Sequence, residues 1–111
     1  MHVSWRIFVD AQSAKSAGVL LDRVAGALQI RPEAARIEPY HKGGFVLEIS
    51  CPLADAPWSE VVVGLLARAQ QVATSWELSG SILEELNAWS IQSRIAGVKS
   101  LHLQCQRGDE A

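Results

Sequence analysis

The residues with the greatest potential for chemistry are three histidines, two cysteines and the segment PYHKGGF at residues 39–45. A phosphate-binding loop presents glycine N–H groups that open directly into a helix, often with a lysine nearby. Here the glycines are followed by a segment with strand character, so Gly43 and Gly44 predict a β-hairpin turn instead. His41 and Lys42 would then stand at the tip of the turn, where a partner could contact them.

No motif predicts catalysis or a bound metal ion. His2, His41 and His102 are far apart in the sequence, and a metal site needs two or three such ligands to converge with carboxylates. Ser79 and Ser81 lack the G-x-S-x-G frame that exposes a nucleophilic serine on a strained turn. We therefore expect a non-catalytic protein without a metal ion or cofactor.

Cys51 and Cys105 are the only cysteines, and each has apolar neighbours. A redox pair or metal site would place them closer together or beside histidines at ligand spacing. The pattern predicts two reduced, buried thiols in a cytoplasmic protein. The start MHVSWRIFVDA lacks the features of a signal peptide and predicts the first strand of the fold.

Length and composition predict one folded domain covering residues 1–111. Hydrophobic residues make up 49% of the chain and charged residues 20%, which is typical of a globular protein. The net charge of −2 arises from mixed acidic and basic residues, so no basic stripe favours a nucleic-acid ligand. The apolar runs are much shorter than a membrane span, so no membrane association is expected.

The first part of the chain predicts a strand and then a helix. Apolar and polar residues alternate over residues 3–9, and Phe8 on the second face indicates a central strand. Apolar residues recur at helical spacing in SAKSAGVLLDRVAGALQI, residues 13–30, with Ser13 as the N-cap. We expect RPE, at residues 31–33, to end this helix.

The middle of the chain predicts two strands and a second helix. ARIEPY and FVLEISC, residues 35–40 and 45–51, flank the glycine turn. DAPWSEVVVGLLARAQQVATSW, residues 55–76, has a leucine- and valine-rich helical stripe, with Asp55 or Ala56 at the N-cap. GVKSLHLQC, residues 97–105, alternates apolar and polar residues and predicts the last strand.

The segment SILEELNAWSIQSRI, residues 81–95, is compatible with either a helix or a strand. Ser81 and Glu84 have the spacing of a capping box, which favours a helix. Alternation instead favours an edge strand paired with WELSG, with Leu86, Ala88 and Ser90 on one face and Asn87, Trp89 and Ile91 on the other. Of the two, we favour the strand.

This order of elements predicts an α+β protein with the ferredoxin-like, or split βαβ, plan. An antiparallel sheet would carry both helices on one face in a two-layer sandwich, with an extra hairpin and strand toward the C-terminus. The other sheet face would carry Phe8 and Val46. We expect a protein partner or a second copy of the chain to dock there.

Four tryptophans are many for a chain of 111 residues. Trp5 belongs to the core by its place in the first strand, and core is the favoured interpretation for the others too. If any tryptophan is exposed, Trp58 and Trp89 are the candidates, and exposed aromatic side chains dominate interface hot spots. The predicted partner-binding residues are Tyr40, His41, Lys42, Trp58 and Trp89.

Several short motifs are spread along the chain. They are Trp5-Arg6, Glu38-Pro39-Tyr40, Trp76 to Gly80 and Gly97-Val98. With them the chain resembles small bacterial proteins of uncharacterised or immunity-like type. The resemblance implies a cytoplasmic protein that neutralises a secreted toxin by binding it, and it brings no catalytic residue with it.

A second class of function stays open at this point. A ferredoxin-like small-molecule-binding domain, sensor or small enzyme would act as a homodimer through the sheet and would need a pocket with convergent polar groups. An exposed aromatic patch favours the protein-binding hypothesis. A deep cleft containing His41 or His102 favours the small-molecule hypothesis.

Overall fold

The computed structural model of the chain describes residues 1–108 and shows an α+β architecture. Its elements, in chain order, are β1 (His2–Val9), α1 (Ala14–Leu28), β2 (Ala34–Pro39), β3 (Phe45–Pro52), α2 (Trp58–Ala69), β4 (Ala73–Thr74), β5 (Glu77–Ser79), β6 (Glu85–Ser90), β7 (Gln92–Ser93) and β8 (Val98–Gln106). Within residues 1–108, neither helix is long and apolar enough to cross a bilayer.

Six strands form one antiparallel sheet in the order β2-β3-β1-β8-β6-β5, while β4 and β7 pair separately. β1 pairs with β3 along its whole length, from His2 opposite Pro52 to Val9 opposite Phe45. Its other edge pairs with β8, with Trp5 opposite Leu103. The predicted central position of the first strand is confirmed.

The core lies between one face of the sheet and the two helices. Inward residues alternate along each long strand, as the two-residue period predicts. The largest fully buried side chains are Trp5, Ile7, Leu28, Leu47, Ile49, Leu86, Leu101 and Leu103, joined by Val3, Val9, Val24 and Val72. Both helices therefore cover the same face of the sheet, and the opposite face is left to solvent.

Helix α1 begins as predicted and ends earlier than predicted. The Ser13 Oγ accepts from the Ser16 backbone N–H at 3.1 Å, which confirms the N-cap. The expected stop at residues 31–33 is wrong, because the helix ends at Leu28. Gln29 adopts a left-handed conformation, φ 57°, and its N–H closes the last turn.

Helix α2 is shorter at both ends than the predicted segment 55–76. Its N-cap is Pro57, not Asp55 or Ala56, and no side chain caps the first turn. The helix ends at Ala69, because the chain then turns into the short strand β4. Val72 is nevertheless fully buried, so the apolar stripe continues into the core beyond the helix.

The segment 81–95 contains a strand, as favoured. β6 pairs with β5 as expected, with Trp89 opposite Glu77, but β8 lies on its other side. The predicted edge position is therefore wrong, and β5 forms the edge instead. The Ser81 carbonyl accepts from the N–H groups of Glu84 and Glu85, both at 2.9 Å, so the capping-box motif forms a turn.

The glycine pair forms the predicted hairpin turn between β2 and β3. Gly43 and Gly44 have φ values of 99° and 74°, in the left-handed region that glycine adopts most readily. The Tyr40 N–H donates to the Gly44 carbonyl at 3.0 Å, and the Gly43 N–H donates to the Tyr40 carbonyl at 2.9 Å. A Cβ on Gly44 would lie 2.2 Å from the Val9 carbonyl oxygen, whereas one on Gly43 would meet open space.

The two glycines provide a matched pair of substitutions. Gly43→Ala adds a methyl group at positive φ without a clash, and we expect a loss of about 1–2 kcal/mol of unfolding free energy. Gly44→Ala adds a clash with backbone of β1, and we expect about 3 kcal/mol or more. Urea denaturation of both variants measures the difference. Equal losses would contradict the close approach of the turn to β1.

The two cysteines are free thiols buried on either side of Val3. Cys51 on β3 and Cys105 on β8 both lie opposite Val3, so the whole of β1 separates them. Two interstrand spacings are about 10 Å, and a disulfide needs Cα atoms within about 7 Å. Burial raises the pKa of both thiols, so both stay protonated near neutral pH.

Thiol titration tests this arrangement. In the native protein we expect neither cysteine to react quickly, because both are buried and little thiolate is present. Denaturation in the absence of reductant should release two reactive thiols per chain. Two thiols that stay unreactive after denaturation would reveal a disulfide and contradict the sheet register.

Candidate functional site

The sheet face that points away from the helices, here called the open face, is not covered by any other element of residues 1–108. It carries Ser4, Arg6, Phe8, Val46, Glu48, Ser50, Asn87, Trp89, Ser100, His102 and Gln104. The strand register sets Arg36, Glu48, Arg6, His102 and Trp89 side by side in one row across five strands. Neighbours in such a row lie within reach of one another.

Charges alternate at the β2 end of this row. The Arg6 Nε lies 3.5 Å from the Glu48 Oε1, and the Arg36 Nη1 lies 3.6 Å from the Glu48 Oε2. Arg36 also contacts Glu38 on its own strand. These side chains are 41–64% exposed, so the pairs contribute little to stability. The row is better suited to orienting a charged partner than to holding the fold.

His102 occupies the centre of the open face and is held by β6. Its Nε2 contacts the Asn87 Oδ1. Because an amide oxygen only accepts, Nε2 carries the proton, and Nδ1 of the neutral ring is left as an acceptor. Burial, followed by the positive charge of Arg6, lowers the pKa of His102, so the ring is neutral near pH 7.

Aromatic side chains occupy the end of the open face next to the hairpin turn. The Phe8 and Tyr40 rings meet edge to face, with centroids 5.1 Å apart, and the His41 ring lies 4.6 Å from that of Tyr40. Phe8 and Trp89 line one cavity of about 250 Å³. Ser100, opposite Phe8 on β8, also lines this cavity and contributes only a small side chain. We call Tyr40, Phe8 and Trp89 the aromatic strip.

A second, more polar cavity adjoins the first. It has a volume of about 300 Å³ and is lined by polar side chains of β1, β2, β3 and β8, namely Ser4, Arg6, Arg36, Glu48, Ser50, His102 and Gln104. His102 lines both cavities. The open face therefore combines an apolar depression with a polar one.

The structure brings together most of the predicted partner-binding residues. Tyr40 lies beside Phe8, His41 lies beside Tyr40, and Trp89, 49% exposed, lies on the same face as Phe8. Lys42 is exposed at the turn. Their role in binding stays a prediction.

Trp58 lies apart from this face. Only 7% of the residue is exposed, and its indole N–H donates to the Ile82 carbonyl at 2.7 Å. The favoured core interpretation is therefore confirmed for Trp58. Its hydrogen bond holds the 81–84 turn, so the residue positions a surface segment from inside the core.

That turn displays apolar side chains that sequence reasoning did not single out. Leu83 is 70% exposed. Its backbone is held in place, because its carbonyl accepts from the Arg107 Nη1 at 3.1 Å. Leu78, Ile82 and Ile91 are 53%, 41% and 68% exposed. Alternation in the sequence places Ile91 on the face of Asn87 and Trp89, whereas the exposure of Leu78 follows from the edge position of β5.

No family model, curated protein or solved structure was found to match the chain. In the described range, residues 1–108, no three His, Cys, Asp or Glu side chains are grouped so that they could hold a metal ion.

The lowered pKa of His102 predicts a pH dependence of stability. Below its unfolded value of 6.5, the unfolded chain binds a proton that the folded chain resists, so unfolding becomes easier as pH falls. We expect wild type to lose more unfolding free energy than His102→Gln between about pH 7.5 and about pH 5. Urea titrations at both pH values measure the difference. Identical losses would show that His102 titrates normally in the fold.

Proposed function

We propose that this protein is a non-catalytic protein-binding module that engages its partner through the aromatic strip on the open face. The observation that carries the proposal is the exposed Trp89 beside an apolar cavity that it shares with Phe8. Tryptophan and tyrosine bury much area on binding and lose few rotamers, so they dominate interface energetics. A cavity beside such residues suits an apolar side chain of the partner.

The strip is preorganised, which favours binding. Phe8 on β1 and Trp89 on β6 stand on strands that both pair with β8. Phe8 is further fixed by the Tyr40 ring and by Arg6, whose Cζ lies 5.5 Å from the Phe8 centroid. Val46, opposite Phe8 on β3, is only 6% exposed. Side chains held in their bound geometry lose little entropy when a partner docks.

The charges of the open face narrow the class of partner. Arg6 and Arg36 are matched by Glu38 and Glu48, so the face has no strong field of either sign. A nucleic-acid ligand would favour a basic face, and inhibition of a nuclease would favour an acidic one. A protein surface of mixed charge suits this face best.

We propose that the module is a bacterial immunity protein that covers a cognate toxin in the cytoplasm. The resemblance of the sequence to immunity-like proteins supports this identity. We further propose that the fold is a ferredoxin-like variant, because β1 lies between β3 and the last strand in the order β2-β3-β1-β8. In this view β5 and β6 are an added hairpin that widens the open face.

If the partner is a toxin encoded beside this protein, the product of the neighbouring gene is the first partner to test. Trp89→Ala should weaken its binding by about 2 kcal/mol, roughly 30-fold in Kd, with little change in melting temperature. Trp58→Ala removes a buried side chain and should instead lower stability by about 3–5 kcal/mol. Calorimetric titration beside thermal melts separates the two effects.

Val63→Ala is the matched control, because Val63 is an exposed apolar residue on α2, 68% exposed and outside the sheet. It should leave both binding and melting unchanged. If Trp89→Ala binds with wild-type affinity to a partner that wild type binds tightly, the aromatic strip is not the interface.

A second candidate function is favoured by the polar cavity that contains His102. A small polar molecule could meet the guanidinium of Arg6, the carboxylate of Glu48 and the Nδ1 acceptor of His102 there. Such a domain would act as a dimer through the sheet. Dissociation of a wild-type dimer by Trp89→Ala in sedimentation experiments would favour this candidate over a toxin-binding monomer.

A further inference from the structure

We infer that a cavity on the opposite side of the molecule, between the sheet and the ends of the two helices, binds a small apolar carboxylate. The cavity has a volume of about 250 Å³, and Val3, Trp5, Ile30, Cys51, Leu53 and Leu65 provide most of its lining. It lies on the helical side of the sheet and shares none of the residues proposed for partner binding.

Trp5, which lines both this cavity and the polar cavity of the open face, carries a buried donor without a partner. Trp5 is 1% exposed, and within residues 1–108 its Nε1 is the one buried side-chain nitrogen or oxygen atom without a hydrogen bond. Trp76 meets the Trp5 ring edge-on at 6.3 Å and provides no lone pair. Such an orphaned N–H costs about 1–3 kcal/mol, which an acceptor atom that reached it would recover.

Two arginines give the cavity its charge preference. Arg31 and Arg68 both line it, and no carboxylate does. The Arg68 Nη1 donates to the Leu28 carbonyl at 2.5 Å and to the Gln29 carbonyl at 3.4 Å, which leaves the Nε and Nη2 groups for a ligand. Arg31 forms no ion pair within residues 1–108. An apolar wall with two guanidinium groups suits a hydrocarbon or aryl group that carries one carboxylate.

The walls are fixed before any ligand arrives. The Leu53 N–H donates to the Met1 carbonyl at 2.8 Å, and the Ile30 N–H donates to the Ala25 carbonyl at 3.1 Å. Both segments that border the cavity are therefore tied to neighbouring elements. A second depression of about 230 Å³ continues along α2 past Leu53 and Gly64, which gives room for a longer chain.

Octanoate is the probe ligand, and 1-octanol, which has the same chain length without the charge, is the control ligand. In an NMR titration of the whole chain, we expect octanoate to shift the Trp5 indole N–H and the amides of Cys51 and Leu65, but not that of His102. Affinity should rise about fourfold for each methylene from butanoate to octanoate, the increment for a buried CH₂ group. Trp5→Phe assigns the indole resonance.

Arg31→Gln removes one positive charge from the cavity wall without changing the core. Arg23→Gln is the control, because Arg23 is an exposed arginine of α1. We expect the first substitution to weaken octanoate binding about tenfold and the second to leave it unchanged. The inference is overturned if 1-octanol binds as tightly as octanoate, if both arginine variants behave alike, or if no shifts appear around Trp5. None of these outcomes bears on Trp89 and partner binding.

Discussion

The structure depends on the double pairing of β1. This strand uses both of its edges, one against β3 and one against β8, so the first residues of the chain join segments from its middle and its end. Loop-closure entropy opposes such distant pairings, and the burial of Val3, Trp5, Ile7 and Val9 against both helices offsets it. Without β1 the sheet would separate into two hairpin-like halves.

The same strand also determines where recognition can occur. Because side chains alternate, fixing Trp5 and Ile7 in the core necessarily sends Arg6 and Phe8 to the other face. Register then decides their neighbours: Arg6 stands beside Glu48 and Phe8 beside Val46. The open face is thus assembled from segments that are distant in sequence, and one shift of register would dismantle the core and the open face together.

Much of the fold could be predicted because strand alternation, helix periodicity and the Ser13 cap are local properties of the sequence. The predictions were wrong where tertiary contacts determine the end of a helix or the position of a strand. The helix end at Gln29 and the place of β6 inside the sheet depend on packing and on pairing with β8. The residue types Tyr and Trp indicated part of the surface set, but Trp58 is buried, as the favoured core interpretation has it. Its hydrogen bond to the Ile82 carbonyl is a contact that no sequence pattern reveals.

The two edges of the sheet limit how the protein can associate. β2 presents the charged side chains of Arg36 and Glu38 and ends at Pro39, which has no N–H to offer a new strand. β5, at the other edge, is only three residues long and begins with Glu77. Both edges oppose strand addition and therefore fibrillar growth. Association through the open face of the sheet therefore remains possible, whereas association through its edges is opposed.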